Sequence, residues 1–69
     1  MEKNSVNITN RELEVLKYVT QGLTNREIAE ILQITHHTVK AHVASLIKKM
    51  GVRNRLGISM EAKNLGLID

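Results

Sequence analysis

Residues 24–50 read TNREIAEILQITHHTVKAHVASLIKKM, a stretch with signals for two consecutive helices. Thr24 and Glu27 have the spacing of a capping box, which predicts a short helix over about residues 25–32. The chain then turns, and a longer helix is predicted over about residues 36–50. A short helix, a tight turn and a longer basic helix are typical of a helix-turn-helix motif.

The tetrapeptide TNRE also occupies residues 9–12, where it predicts the start of a helix over about residues 10–20. Asn54 is the expected cap of a last helix over about residues 55–65, which Gly66 ends. The two copies of TNRE are therefore interpreted as helix starts rather than as units of a repeat. Short helices with tight connections predict an all-α domain without a wing of strands.

The chain has 69 residues, which allows one small domain, and it has no cysteine, which excludes disulfides and thiolate metal sites. No apolar run is long enough to cross a bilayer, and the N-terminus lacks a hydrophobic signal segment, so we expect a cytoplasmic chain without a membrane partner. We expect residues 8–68 to form the domain and residues 1–7 to be an N-terminal tail or linker. A chain this short gains from oligomerisation because its own core is small.

The basic residues are concentrated in the second half of the chain. Residues 31–60 contain five lysines and arginines and no acidic residue, whereas residues 1–30 and 61–69 are each slightly acidic. A positive block of this kind predicts a surface for a polyanion such as DNA. A solvated basic face is the simpler alternative.

Apolar residues recur at the helical period in each predicted helix and define the expected core. Those of the helix-turn-helix stretch are Ile28, Ile31, Leu32, Val39, Val43, Leu46, Ile47 and Met50. Those of the flanking helices are Val15, Leu16, Val19, Ile58, Ala62 and Leu65.

The other side of the 36–50 helix has the properties of a surface that reads DNA. It carries no carboxylate, and its residues are His37, Ala41, Ala44, Ser45 and Lys48, with Lys40 on one flank. Alanines allow close approach in a major groove and can contact thymine methyl groups, while lysine and histidine can donate to guanine acceptors. The residues suited to phosphate contacts on either side are Thr38, His42, Lys48 and Lys49.

The predicted fourth helix is apolar on two sides, which is unusual in so small a protein. One side is assigned to the core, and the other contains Leu56, Met60 and Leu67, with Lys63 and Asn64 nearby. An apolar side without a partner in its own domain predicts a homodimer contact. The alternative is that Leu56 and Leu67 lie at fraying helix ends and fold back onto their own domain.

Metal and enzyme sites are both poorly supported. The three histidines, His36, His37 and His42, lack the i, i+3 or i+4 spacing of a helical metal pair, so we expect no metal. Ser45 lies near His42, but both are assigned to an exposed helix face. There is no glycine-rich phosphate loop and too little chain to enclose a substrate, so we expect neither catalysis nor a cofactor nor a small-molecule ligand.

The segments TNREIA, ITHHTVKAHV and KKMGVRNR, in this order and spacing, resemble the LuxR/GerE-type helix-turn-helix domain of bacterial response regulators and quorum sensors. The resemblance extends over about residues 8–68. It implies three core helices and a C-terminal dimerisation helix, with dimers on inverted-repeat promoter sites. It also implies base contacts by Lys40, Ala41 and Ala44, and phosphate contacts near Thr24, Asn25, Thr38, His42 and Lys49. On this interpretation the first TNRE copy is only a cap, whereas the second points its helix N-terminus at a phosphate.

The sequence departs from the family pattern at three positions. Asn10 stands where proline is frequent, Ile58 where alanine is frequent, and Ala44 lacks a polar group that some members use to read bases. These differences affect the expected sequence preference rather than the fold.

The expected function is that of a sequence-specific DNA-binding transcriptional regulator, or of the output domain of a longer one. A protein-interaction module that pairs with a larger regulator or with RNA polymerase is the alternative, since an acidic protein surface would attract the same basic block.

Overall fold

A computed structural model describes residues 7–67, which form four helices and no strand. The helices are α1 (Asn10–Thr20), α2 (Asn25–Leu32), α3 (His36–Met50) and α4 (Arg55–Asn64). The predicted all-α class is therefore confirmed, and the first three helices have the predicted bounds.

Both copies of TNRE begin a helix with a complete capping box. At α1 the Glu12 N–H donates to Thr9 Oγ1 at 3.1 Å, and the Thr9 N–H donates to Glu12 Oε1 at 3.0 Å. At α2 the same two bonds join Thr24 and Glu27 at 3.2 and 2.8 Å. Each box satisfies two backbone N–H donors that a helix start otherwise leaves to water.

The turn between α2 and α3 is set by Gln33, the only non-glycine residue in 7–67 with a positive φ. Gln33 lies in the left-handed region at φ 57°, and the Ile34 N–H donates back to the Ala29 carbonyl at 3.1 Å. This closure ends α2 within one residue, so that Thr35 can cap α3 through a 3.2 Å bond from the Thr38 N–H.

Helix α3 is central and packs against the other three helices. Its inner side contributes Val39, Val43, Leu46 and Met50 to the core. The remaining core residues are Val15, Leu16, Val19, Ile28, Ala29, Ile58 and Ala62. Leu32 and Ile47 are half-buried and pack against this core.

Two predicted core residues are not in the core. Ile31 is 50% exposed and Leu65 is 43% exposed. Helical periodicity assigns a residue to a side of its helix, but burial also requires a neighbouring element over that position. Ile31 is near the end of α2, and Leu65 lies just beyond the last residue of α4, where such cover is lost.

Helix α4 begins and ends through local contacts. Asn54 caps it by accepting from the Gly57 N–H at 3.0 Å. It ends at Asn64, one residue earlier than predicted, because Gly66 turns at φ 72° and the Leu67 N–H donates back to the Ala62 carbonyl at 2.9 Å.

Gly57, in the first turn of α4, packs closely against Val52, which lies two residues after the end of α3. A Cβ added to Gly57 would lie 2.8 Å from Val52 Cβ, which is shorter than real contacts between such atoms. Glycine at this helical position therefore permits an approach that no other residue allows.

The predicted N-terminal tail, residues 1–7, lies outside the described residues except for Asn7. The carbonyl of Asn7 accepts a hydrogen bond from Lys49 Nζ at 2.9 Å. Residue 68 of the predicted domain is also outside the described part.

Candidate nucleic-acid interface

One side of α3 presents an exposed row of small and basic side chains. Successive turns of the helix bring His37, Ala41, Ala44 and Lys48 to this side, and all four are exposed, as is Lys40 on its flank. No acidic residue belongs to α3. We call these five residues the reading row. Its chemistry suits a groove lined with hydrogen-bond acceptors and edged with negative charge.

The other flank of α3 is partly covered. Thr38 is exposed, with its hydroxyl 3.0 Å from the Thr35 hydroxyl, whereas His42 is half-buried. The rings of His36 and His37 lie next to each other with centroids 4.3 Å apart. Thr38 and His42 are therefore at the edge of the reading row, where a backbone phosphate would lie if the row faced a major groove.

The two lysines at the end of α3 differ sharply in their surroundings. Lys48 is exposed and makes no ion pair within residues 7–67. Lys49 reaches toward α1, where its ammonium lies 2.7 Å from Glu12 Oε1. Among residues 7–67, a carboxylate partner is thus present for Lys49 and not for Lys48.

Glu12 is the centre of a small polar cluster between α1 and α3. Glu12 is 6% exposed, and its carboxylate accepts a 2.7 Å hydrogen bond from the Ser45 hydroxyl in addition to the bond from Lys49. Burial raises the pKa of Glu12, but the hydrogen bonds from Lys49, Thr9 and Ser45 together outweigh it, so the pKa falls to about 2. The carboxylate is therefore charged and fully partnered at neutral pH.

This cluster corrects two predictions. The first TNRE copy is not only a cap, because its glutamate also joins α1 to the end of α3. Ser45 does not belong to the exposed reading row, because it is half-buried and its hydroxyl donates to Glu12. In the second copy the corresponding Glu27 is exposed and serves the cap alone.

The N-terminus of α2 is built by residues from two distant parts of the chain. Thr24 is exposed, and Asn25 is half-buried beside it. The Arg55 guanidinium donates through Nη1 to Asn25 Oδ1 and through Nη2 to the Leu23 carbonyl, the latter at 2.7 Å. The first residue of α4 thus holds the first turn of α2.

The exposed side of α4 carries an apolar patch. Leu56 is 69% exposed and Met60 is 64% exposed, and together with Val52 and Gly57 they line a shallow groove that Asn64 also borders. Lys63 and Asn64 are exposed beside it. The prediction that Leu67 shares this side is wrong, since Leu67 is half-buried and packs against the core.

Of the two residues that could fold back onto their own domain, Leu67 does so and Leu56 does not. The backbone bond from Leu67 to Ala62 directs the chain inward after Gly66. Leu56, on the first turn of α4, stays 69% exposed.

Sequence reasoning did not find Glu12 or Arg55 as residues that shape this surface. Their partners are 37 and 30 positions away in the chain, beyond the reach of helical spacing. The acid-free composition of residues 31–60 was an available signal, because any carboxylate partner of its cations has to come from outside that segment.

Two further observations concern the described part of the chain. Among residues 7–67, no three histidine, aspartate or glutamate side chains form a group that could hold a metal ion. No helix there has the length and apolar character needed to cross a membrane.

Comparison with known proteins identifies the fold and the family. Residues 6–62 match the model of the luxR family of bacterial regulatory proteins. The transcription factor GerE has a solved structure with a TM-score of 0.85 and 29% identity, over 96% of this chain and 97% of that one. The response regulator ChrA of a heme-sensing two-component system gives a TM-score of 0.84 and 35% identity, over 99% of this chain and 33% of that one.

Curated relatives agree with the structural match. The nitrate/nitrite response regulator NarP of Escherichia coli K12 is 43% identical over 53 residues, which are 77% of this chain and 25% of the relative. The transcriptional regulatory protein LnrK of Bacillus subtilis 168 is 44% identical over 62 residues, 90% of this chain and 28% of the relative. The chain thus spans about a quarter of the length of these two relatives.

The predicted resemblance is confirmed by both kinds of comparison, and the family is one of transcription regulators rather than enzymes. The chain belongs to the luxR family of bacterial regulatory proteins and has the four-helix fold of the transcription factor GerE.

Proposed function

We propose that the chain binds double-stranded DNA as a homodimer on an inverted repeat, with α3 in the major groove, and thereby regulates transcription. The observation that carries this proposal is the reading row, which is exposed, basic and free of carboxylates on the central helix of the fold. A helix with small residues at the middle of its outer face fits between the two phosphate backbones of a major groove.

Base recognition is assigned to Lys40, His37, Ala41 and Ala44. Lys40 and His37 donate to acceptors such as guanine O6 and N7, and the alanines contact thymine methyl groups. The two alanines add little hydrogen-bonding discrimination of their own, so we expect Lys40 to dominate the sequence preference.

Phosphate contacts are assigned to Thr24, Asn25, Thr38, His42, Lys48 and Lys49. These contacts neutralise charge and fix the position of α3, and they carry no sequence information directly. Lys48 has no competing ion pair among residues 7–67, whereas the Lys49 ammonium is shared with Glu12. We therefore assign the larger electrostatic share to Lys48.

The dimer contact is assigned to the exposed side of α4, with Leu56 and Met60 at its centre and Lys63 and Asn64 at its edge. Two large apolar side chains exposed next to each other on one helix support a partner surface. The patch is small, so association without DNA is expected to be weak. If the dimer is absent, the same patch becomes the candidate contact for RNA polymerase or a larger regulator.

The relatives suggest the context in which such a domain works. Response regulators such as NarP and ChrA are three to four times as long as the segment that matches this chain. We propose that the chain acts as the output domain of such a regulator or as a regulator of its own size, as GerE is. Its role is recognition rather than catalysis, and a cytoplasmic location follows from DNA as the target.

The test is selection of binding sites from random duplex DNA, followed by titration of the enriched duplex against salt. We expect an inverted repeat, with log affinity falling linearly as log salt rises. No enrichment, together with capture of a protein partner through the α4 patch, would favour the interaction-module alternative.

The Met60→Glu variant tests the dimer separately. A carboxylate at the centre of the patch is expected to abolish self-association in sedimentation and to weaken binding to the inverted repeat, while binding to a single half-site is retained. Gln21→Glu adds the same charge at an exposed position that does not line this groove and is the control for an unspecific effect of charge. Unchanged association of Met60→Glu would remove α4 as the dimer contact.

A further inference from the structure

The contact between Arg55 and Asn25 determines which polar groups of the first turn of α2 face solvent. Arg55 is the first residue of α4, and its two terminal nitrogens donate to two oxygens, Asn25 Oδ1 and the Leu23 carbonyl. The two acceptors lie on either side of the Thr24 cap, so one planar side chain fixes both ends of this turn.

The chemistry of the guanidinium also fixes the orientation of the Asn25 amide. An arginine side chain has only hydrogen-bond donors, so the amide atom that faces it has to be the carbonyl oxygen. The Asn25 NH₂ group is then directed away from Arg55. No acceptor within residues 7–67 takes a hydrogen bond from it.

The charge of Arg55 is not neutralised by these contacts. Both acceptors are neutral oxygens, and no carboxylate in the described residues forms an ion pair with the guanidinium. What these contacts determine at the start of α2 is therefore the orientation of the Asn25 amide, beside free N–H groups that favour an anion.

We propose that Arg55 is a positioning residue for DNA binding: it orients the Asn25 amide so that its NH₂ group donates to a backbone phosphate. This inference rests on the proposed function, and it adds a residue that does not itself contact DNA. Arg55 acts through Asn25, and losing either residue removes the same phosphate contact.

The test is a double-mutant cycle measured by fluorescence anisotropy on the duplex enriched by selection. Asn25→Ala and Arg55→Met are each expected to weaken binding about five- to tenfold, the effect of losing one hydrogen bond. In the Asn25→Ala background, Arg55→Met is expected to have no further effect. Lys17→Met removes the same charge from an exposed position on α1, outside the basic block of residues 31–60, and is the matched control, with less than a twofold effect.

The salt dependence separates a positioning role from a direct contact. If Arg55 acts through the neutral Asn25, the slope of log affinity against log salt is unchanged in Arg55→Met. A slope reduced by about one would show that Arg55 neutralises a phosphate itself and would overturn the proposal. A loss of affinity that persists undiminished in the Asn25→Ala background would overturn it as well.

A second variant keeps the proposal testable if Arg55→Met does not fold. Asn25→Asp retains an oxygen for Arg55 but replaces the NH₂ group with an oxygen that repels phosphate. We expect stability at or above that of the parent and a loss of affinity larger than that of Asn25→Ala. Binding equal to the parent would refute the proposed role of the amide. If the parent itself selects no duplex, the proposed function fails rather than the role of Arg55.

Discussion

Lys49 Nζ lies 2.7 Å from Glu12 Oε1 and joins the end of α3 to the first turn of α1, across 37 positions of sequence. Ser45 donates to the other oxygen of the same carboxylate. One buried glutamate thus receives hydrogen bonds from two successive turns of α3 and from its own cap. The orientation of α3 relative to α1 is set by this cluster as well as by the apolar core.

Replacing Glu12 with glutamine should destabilise the fold far more than the same change at Glu27. Glutamine can still cap a helix, so each variant keeps most of its capping box. Glu12→Gln leaves Lys49 without its charged partner and is expected to lose about 1–3 kcal/mol of unfolding free energy. Glu27→Gln, at the exposed copy of the motif, is expected to lose less than about 0.5 kcal/mol. Urea unfolding at pH 7 measures both, and equal losses would contradict the role given to the buried copy.

Stability should fall steeply in acid because of the same carboxylate. The pKa of Glu12 is about 2 in the folded chain, below its ordinary 4.5, so the unfolded chain binds the proton more readily. The stabilisation is complete above pH 4.5 and is lost progressively as the pH falls toward 2, by about 3 kcal/mol in total. Thermal unfolding between pH 7 and 2 tests this. Glu12→Gln should show a clearly flatter dependence than Glu27→Gln.

The adjacent lysines at the end of α3 should separate DNA affinity from stability. Lys48→Met is expected to weaken DNA binding and to reduce the salt slope by about one, with little change in unfolding free energy. Lys49→Met is expected to destabilise the fold by about 1–3 kcal/mol, because it leaves Glu12 buried without its cation, and to reduce the salt slope less. Anisotropy at several salt concentrations and urea unfolding give both quantities. Indistinguishable variants would show that the Glu12 ion pair does not hold Lys49.

Gly57→Ala should destabilise the protein although alanine is the better helix former. The added Cβ would lie 2.8 Å from Val52 Cβ, which is attached directly to the backbone and cannot rotate away. We expect the free energy of unfolding to fall by about 1–3 kcal/mol, whereas helix propensity alone would raise it by roughly 1 kcal/mol. Lys63→Ala, exposed in the same helix, is the control and should be neutral. A stabilised Gly57→Ala would mean that α4 can shift away from Val52 without cost.

Helix starts were predictable because their determinants are local. Thr9, Thr24 and Asn54 each cap within three residues of sequence, and the structure has these helices where the caps predict them. The inner side of α3 follows equally directly from its period. Fold class and helix order therefore follow from short stretches of sequence.

Burial near helix ends and the polar contacts between helices were not predictable in this way. Ile31 and Leu65 have the right phase for the core, but both lie near helix ends and remain about half exposed. The partners of Glu12 and Arg55 are determined by how the helices pack. The sequence shows only that residues 31–60 contain no carboxylate to pair with their own cations. The reading row could be predicted because its residues follow the helical period. Ser45 was wrongly placed beside them because its partner, Glu12, lies on another helix.

Ala41 and Ala44 occupy the middle of the reading row with no more than a methyl group each. Both are exposed, so packing of the core does not restrict which residue can stand at these positions. Substitutions at these two positions should leave the fold intact, whereas substitutions on the inner side of α3 would disrupt the core. If α3 contacts base edges as proposed, one or two substitutions here would give the domain a different target sequence on an unchanged scaffold.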